Sequence, residues 1–418
     1  MIISKRWETV FAVLGVMFFA GSFSYALGSF LPSRTDTLLR YSSTGLMAIF
    51  LLQRWRHSFY TIIKGGWVWG IIFLLSISFA WANNSPQVIS NIRGELIPML
   101  LLSLYLASRF DLEEHFKITA WALGLSMFLS LIVVFVRPDL GIHPASSPWP
   151  GAWRGIFVHK NVFGAYSVLT AAIFFVLSIY AKNNQRMMWV LFSACIITII
   201  LSTSKTALIL SFVAVLLIML FERFRWMGTR TILWLNVSTF AIGGISGVMF
   251  IFWGTILRAL GKDPTLTGRT LIWTFLIEEK IPDHLWFGYG RNIFWSASQY
   301  WDGIYEAAHH VPANAHNGFL DLVIDVGIVG FFFFVLAWIF TYVKALKLAY
   351  SNKEPAYLWP PIFLTLMILN NVMESILARQ TNIFWVLFVT MAFTLNKVRI
   401  PEEHFEKSLA GSQYGMLR

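Results

Sequence analysis

The sequence predicts an all-α polytopic membrane protein of about twelve transmembrane helices, organised as one membrane domain over residues 1–418. Composition is the first reason: 57% of the residues are hydrophobic and only 13% are charged, with a mean hydropathy of +0.65. A soluble domain of this length has too little interior for so much apolar surface. The second reason is patterning. Runs such as Phe174–Tyr180, Met187–Leu201 and Leu208–Phe221 sit in apolar segments of roughly 20 residues, the length needed to cross the hydrocarbon core of a bilayer. The third is the uneven placement of Lys and Arg, taken up below.

In chain order, the spans are expected at 7–31, 38–52, 67–82, 94–108, 117–136, 161–181, 187–202, 205–221, 231–257, 318–343, 358–376 and 382–397. The first apolar stretch, Trp7–Leu31, is long and lacks a small-residue cleavage site, so it reads as a span rather than a signal peptide. Several spans are short for a full crossing, which implies tilt or buried re-entrant backbone. The seventh and eighth are divided only by the polar break "STSKT", Ser202–Thr206. Cys195, the sole cysteine, lies inside the seventh, where it reads as a small buried apolar residue and excludes an intrachain disulfide. There is no internal repeat and no low-complexity tract.

Placing the N-terminus in the cytoplasm puts 19 of the 32 Lys and Arg residues on the inner side. Of the 13 left outside, eight fall in two long loops: Arg137, Arg154 and Lys160 in one, and Arg258, Lys262, Arg269, Lys280 and Arg291 in the other. Both termini are therefore expected to be cytoplasmic, with 398–418 as a cytoplasmic tail. The net charge of +11 is accounted for by such loops and by anionic lipid or substrate, and no nucleic-acid partner is expected.

The two cationic outer loops are the informative regions. The first, 137–160, carries Pro138, Pro144, Pro148 and Pro150, which forbid a long helix, while Trp149 and Trp153 suit a membrane interface. The second, 258–317, lies between the ninth and tenth spans. It contains an amphipathic segment, Gly268–Lys280, and a Gly-rich turn, Phe287–Asn292. Arg154, His159, Lys160 and Asn161 cluster at the mouth of a span, and Arg269 opens the amphipathic helix. A cation at membrane depth is costly unless it pairs or binds an anion, and a guanidinium can hold two phosphate oxygens at once. Lys205 in "STSKT" reads either as part of such an anion site or as a tight outer turn. Arg258, Lys262, Lys280 and Arg291 read as solvated or snorkelling charges.

"AHNGFLDLVIDVGIVG", Ala315–Gly330, sets Asn317, Asp321 and Asp325 four residues apart, so a helix here carries a polar stripe behind His316. A zinc site from His309, His310 and His316 lacks i,i+4 spacing and any cysteine, so no metal is expected. His316 instead reads as a helix-terminal structural residue or as a base that takes a proton from a sugar hydroxyl. Asp321 is placed to orient it, or to balance arginines within the bundle. Asp325 could likewise balance arginines, and Glu374 with Asn370 and Asn371 is a candidate member of the same polar interior, though both acids read first as interhelical hydrogen-bonding groups. The outer loops have no Asp-x-Asp pair to hold a divalent metal on a donor phosphate, and a cofactor-free, metal-independent transfer fits better.

"WRGIFVHKNVFGAY" (Trp153–Tyr166), "LSTSKTAL" (Leu201–Leu208), "LTGRTLIW" (Leu266–Trp273), "FGYG" (Phe287–Gly290) and Ala315–Gly330 together resemble the O-antigen ligase and O-antigen polymerase superfamily, above all its exopolysaccharide polymerases. The resemblance implies a GT-C-like glycosyltransferase of the bacterial inner membrane, with its site facing the periplasm. Such an enzyme transfers an undecaprenyl-diphosphate-linked glycan to an acceptor hydroxyl with inversion. The acceptor is another lipid-linked repeat unit for a polymerase, or lipid A-core for a ligase. By the same resemblance Arg154 and Arg269 hold the diphosphate, His316 activates the acceptor, and a flippase and a chain-length regulator are partners. His159, Lys160, Asn161, Lys205, Asn317 and Asp321 are the accompanying substrate-binding candidates. The chain departs from many relatives at Lys205, where an arginine is usual; lysine keeps the charge and loses the bidentate fork. A transporter of lipid-linked glycans ranks lower, because neither repeat symmetry nor paired discontinuous helices is found.

Overall fold

The computed structural model describes residues 4–23, 28, 35–181, 183–224, 269–296, 300, 304–305, 312–351, 354–379 and 382–398. The expected ninth span 231–257, Arg258, Lys262, His309, His310 and nearly all of the 398–418 tail lie outside them. The described residues form no named strand, only one isolated bridge between Ile142 and Trp153. The helices used below are α1 (Lys5–Phe19), α2 (Thr35–Gln53), α3 (Trp55–Ile63), α4 (Val68–Ile77) and α5 (Ser85–Arg109). They continue with α6 (Leu112–Val136), α7 (Lys160–Tyr180), α8 (Gln185–Leu201) and α9 (Lys205–Phe224). The last four are α10 (Arg269–Phe275), α11 (Gly318–Ser351), α12 (Trp359–Asn371) and α13 (Ile383–Lys397).

Among the described residues, five helices are long and apolar enough to cross a membrane, and six if the pair α3 and α4, bent by 97°, is one broken span. Apolar α8 and α13 are shorter. Helix α7 is the centre of the bundle, with 78% of its span buried, and it packs on α8, α9, α6 and α12. Its small residues allow that closeness: a Cβ on Gly164 would lie 2.8 Å from Ala207 Cβ on α9. Lipid tails are as apolar as leucine, so close backbone packing and interhelical polar contacts, rather than apolar burial, hold such helices together. At the far end of the bundle Glu8 on α1 ion-pairs with Arg109 on α5, and an Asp111–Glu114 capping box starts α6.

Helix α11 departs from the uninterrupted span that the sequence suggests. It is broken at Val326 (φ −136°, ψ 15°) and Gly327 (φ 68°, ψ −173°). The break deprives Ile324 and Asp325 carbonyls and Ile328 and Val329 amides of their helical partners. The Gly-rich turn of the second loop supplies replacements. Tyr289 N donates to Ile324 O (2.8 Å) and Gly290 N to Asp325 O (3.0 Å), while Ile328 N donates to Leu285 O (2.8 Å) and Val329 N to Trp286 O (3.3 Å). A buried break in a membrane helix persists only when its backbone groups are satisfied in this way. Gly288 (φ 66°) meets both demands of the site, since a Cβ there would also lie 2.5 Å from Ile324 O. Gly288→Ala is expected to cost about 1–3 kcal/mol from the left-handed backbone alone, read as a lowered thermal midpoint in detergent.

Behind the break lies a buried polar network. Arg291, 0% exposed, pairs with Glu95 at 3.0 Å and donates to Asn91 O and Ala378 O, each at 3.0 Å. From sequence this arginine reads as a solvated loop charge; in the fold it is enclosed, because partners from distant segments meet it. Asp325 accepts from Asn292 N (3.1 Å), so its carboxylate is tied to the same turn.

Candidate functional site

Four segments converge where α7 and α11 begin. The first loop folds back on itself: His143 N donates to Ala152 O (2.9 Å), and Trp153 N ties the loop to Leu201 O at the end of α8 (3.0 Å). His159 caps α7, its Nδ1 accepting from Asn161 N at 3.2 Å. Lys160 Nζ donates to Thr203 O (3.2 Å) and Thr203 Oγ1 (3.1 Å), which fixes the "STSKT" turn against the α7 N-terminus. Lys205, exposed at the start of α9, is close enough to Lys160 for their charges to interact.

The second loop brings the histidine. Trp273 on α10 donates from Nε1 to Ala315 O at 2.7 Å, and Ala315 N donates to Asp321 Oδ1 at 3.2 Å. His316 N donates to Asn314 Oδ1 (2.9 Å), holding His316 in the left-handed region at φ 51°. Asn317 then caps α11, its Oδ1 accepting from Phe319 N (3.0 Å) and Leu320 N (3.2 Å). A Cβ on Gly318 would collide with the Asn371 amide, so this helix start is pressed against the end of α12.

Glu374, just past α12, is the hub. Its Oε1 accepts from Asn161 Nδ2 at 2.7 Å and lies 3.6 Å from Arg269 Nη2; its Oε2 lies 3.9 Å from His316 Nδ1. Arg269 is further fixed by donating from Nη1 to Met373 O at 2.6 Å. The His316 Nδ1 is buried with no hydrogen-bond partner among the described residues, while 36% of the side chain remains exposed. Asn161, Arg269 and His316, distant in sequence, thus face one carboxylate.

The carboxylate beside His316 is Glu374 and not Asp321. Asp321, 1% exposed, accepts from Trp295 Nε1 (2.7 Å) and Ala315 N, and its Oδ1 lies 2.6 Å from Arg379 Nη2, though without hydrogen-bond geometry. It secures the segment before His316 and does not reach the imidazole. Arg154 is anchored within the first loop: Nε donates to Leu140 O (2.9 Å) and Nη2 to Asp139 O (3.4 Å). Its charge, with that of Lys160, still reaches His143, whose basicity is lowered first by burial and then by these two cations. From sequence Glu374 reads as a candidate member of the polar interior around His316, or as an interhelical hydrogen-bonding group, with nothing in "NNVMES" to say which segment it faces. What singles it out is the loop geometry that turns it toward α7.

Burial pushes the His159 imidazole down to about 4, opposed by Glu374 and assisted by His143, Lys160 and His316. His159 is therefore neutral at pH 7, as its role as a hydrogen-bond acceptor requires. The unfolded chain binds this proton near pH 6.5 and the folded one only near pH 4, so stability falls as pH drops through that window. Melting curves between pH 7 and 5 check this. His159→Asn keeps a capping oxygen and is expected to flatten the pH dependence of the midpoint.

A cavity of about 610 Å³ lies at the other end of α6, α7 and α8, lined mainly by apolar side chains with Glu113 and Lys117 at its rim. None of the candidate residues lines it.

Residues 190–335 match the family model described as O-antigen ligase (Wzy_C). Over 220 residues the chain is 27% identical to the exopolysaccharide production protein ExoQ of Rhizobium meliloti (strain 1021), covering 48% of this chain and 48% of that protein. The match spans about half the length of that relative. These findings support the resemblance to the O-antigen ligase and polymerase superfamily drawn from the motifs. The family-model match takes in Lys205, Arg269, His316, Asn317 and Asp321, and leaves Arg154, His159, Lys160, Asn161 and Glu374 outside it.

Proposed function

We propose that this chain is a polysaccharide polymerase of the bacterial inner membrane. It moves a glycan from undecaprenyl diphosphate to the hydroxyl of another lipid-linked repeat unit, by an inverting, metal-independent, GT-C-like transfer. The twelve-span layout, cytoplasmic termini and periplasmic site belong to the same reading, as do a flippase and a chain-length regulator as partners. The observation that carries it is the convergence of Asn161, Arg269 and His316 on Glu374 at the helix ends joined by the two cationic loops.

In this mechanism the acceptor hydroxyl gives its proton to His316 as its oxygen attacks the anomeric carbon. The bond from that carbon to the diphosphate oxygen breaks, and the diphosphate leaves with the electron pair. Glu374, with Oε2 3.9 Å from His316 Nδ1, faces one ring nitrogen and leaves the other for the acceptor. Arg269 meets the charge growing on the leaving group, and Lys160, Lys205 and Arg154 are the further cations proposed to hold the diphosphate. Such stabilisation is strongest when the cations are held in place beforehand. His316 later releases its proton to solvent. The absence of an Asp-x-Asp pair from the outer loops favours cations of the chain itself in this role.

A ligase that transfers to lipid A-core shares this donor chemistry and is the second reading. A transporter of lipid-linked glycans ranks below both: α11 and the α3–α4 pair are discontinuous, contrary to the sequence expectation, but no sequence repeat relates them. Purified protein in liposomes with a defined undecaprenyl diphosphate glycan separates the classes: new glycosidic bonds support transfer, and movement across the bilayer without bond formation overturns it. Gene deletion separates the two transferases. Loss of a polymerase leaves single repeat units, and loss of a ligase leaves lipid-linked polymer.

A further inference from the structure

Trp149 suits a membrane interface by its sequence setting, yet its surroundings in the fold are those of a ligand site. It sits at the tip of the first loop between Pro148 and Pro150, whose rings fix the backbone on either side. Its amide donates to Ser147 Oγ (3.2 Å), and Gly151 N donates to His143 O (3.0 Å), closing the turn beneath it. The indole is thereby held close to three polar groups. The His159 ring lies 4.4 Å away, centre to centre and perpendicular, the His143 ring 5.5 Å away, and Lys160 Nζ 6.0 Å from the ring centre. Even so, 39% of Trp149 remains exposed.

An interface tryptophan needs only a headgroup layer around it. A part-exposed indole with an ammonium over its ring and two imidazoles packed against it sets apolar surface beside polar groups, which matches a ligand with one apolar face and a hydroxyl-covered rim. A pyranose ring has this character: its axial C–H bonds stack on an aromatic face, and its equatorial hydroxyls reach neighbouring donors and acceptors. His159 joins this platform to the group around Glu374, whose charge and that of His316 it feels.

We propose that Trp149, with His143 and His159 packed against it, forms part of a pyranose-binding subsite next to the Asn161–Arg269–His316–Glu374 group. The inference rests on the glycan-transfer reading above. The bound ring belongs either to the donor glycan or to the acceptor.

The test uses full-length wild type, Trp149→Ala and Trp149→Phe in proteoliposomes, with undecaprenyl diphosphate glycan and acceptor glycan varied separately. Trp149→Ala is expected to raise KM for one of the two about tenfold or more, with kcat within about threefold of wild type, and Trp149→Phe to fall between. A rise confined to the donor assigns the ring to the donor glycan, and one confined to the acceptor assigns it to the acceptor. Unchanged KM values for both, with transfer intact, overturn the subsite and leave Trp149 as an interface anchor. Saturation-transfer NMR with the free repeat-unit oligosaccharide gives a readout independent of transfer. If wild type binds the sugar and Trp149→Ala does not, but wild type forms no bonds, the transfer reading fails while the subsite stands. If wild type and Trp149→Ala bind equally or neither binds, the subsite fails.

Discussion

His316→Asn is expected to lower glycan transfer by about 10²–10⁴-fold, the usual contribution of one positioned proton-transfer group, with the thermal midpoint close to wild type. Asparagine is the informative replacement because His316 sits at φ 51°, a backbone region that asparagine adopts more readily than alanine. The bonds that hold this backbone, His316 N to Asn314 Oδ1 and Ala315 N to Asp321 Oδ1, do not involve the imidazole. A loss in His316→Asn therefore reports on the ring rather than on a collapsed loop. Transfer is followed as polymer formed from a defined lipid-linked repeat unit, and insertion as the yield of folded protein in detergent. Near-normal polymer would remove His316 from proton transfer and leave it a structural residue at the helix start.

The apolar helices were the most legible part of the fold, because span length is set by the bilayer itself and needs no tertiary knowledge. Several expected spans coincide with helices, from 117–136 against Leu112–Val136 to 205–221 against Lys205–Phe224. The break in α11 was not legible, since apart from Asp325 "IDVGIVG" is as apolar as a continuous span and Gly327 alone does not announce a left-handed residue. Its cause lies far upstream in the Gly288 turn, a pairing that periodicity cannot see. The same holds for the site. Cationic loops and His316 stand out as charges beside apolar sequence, but which carboxylate faces the histidine depends on loop folding. Asp321 is nearer in sequence, four residues past Asn317; Glu374 has the position.

Arg269 is where the electrostatic part of the mechanism is concentrated. Its Nη1 donates to Met373 O at 2.6 Å and its Nη2 lies 3.6 Å from Glu374, so the guanidinium is fixed before substrate arrives. A cation held this way spends nothing on reorganisation as charge grows on the departing diphosphate, and removing one such group typically costs about 10²–10³ in kcat. Arg269→Ala is expected to lose that much and also to leave Glu374 without its nearest guanidinium. Arg269→Lys separates the two effects: an ammonium restores charge near Glu374 but cannot keep the Met373 tether and span two phosphate oxygens together. Partial recovery in lysine, with kcat between alanine and wild type, points to charge plus positioning. Full recovery makes the fork irrelevant. Wild-type rates in Arg269→Ala would move leaving-group stabilisation elsewhere, and Arg154, bonded within the first loop to Leu140 and Asp139 carbonyls, is then the next guanidinium to replace.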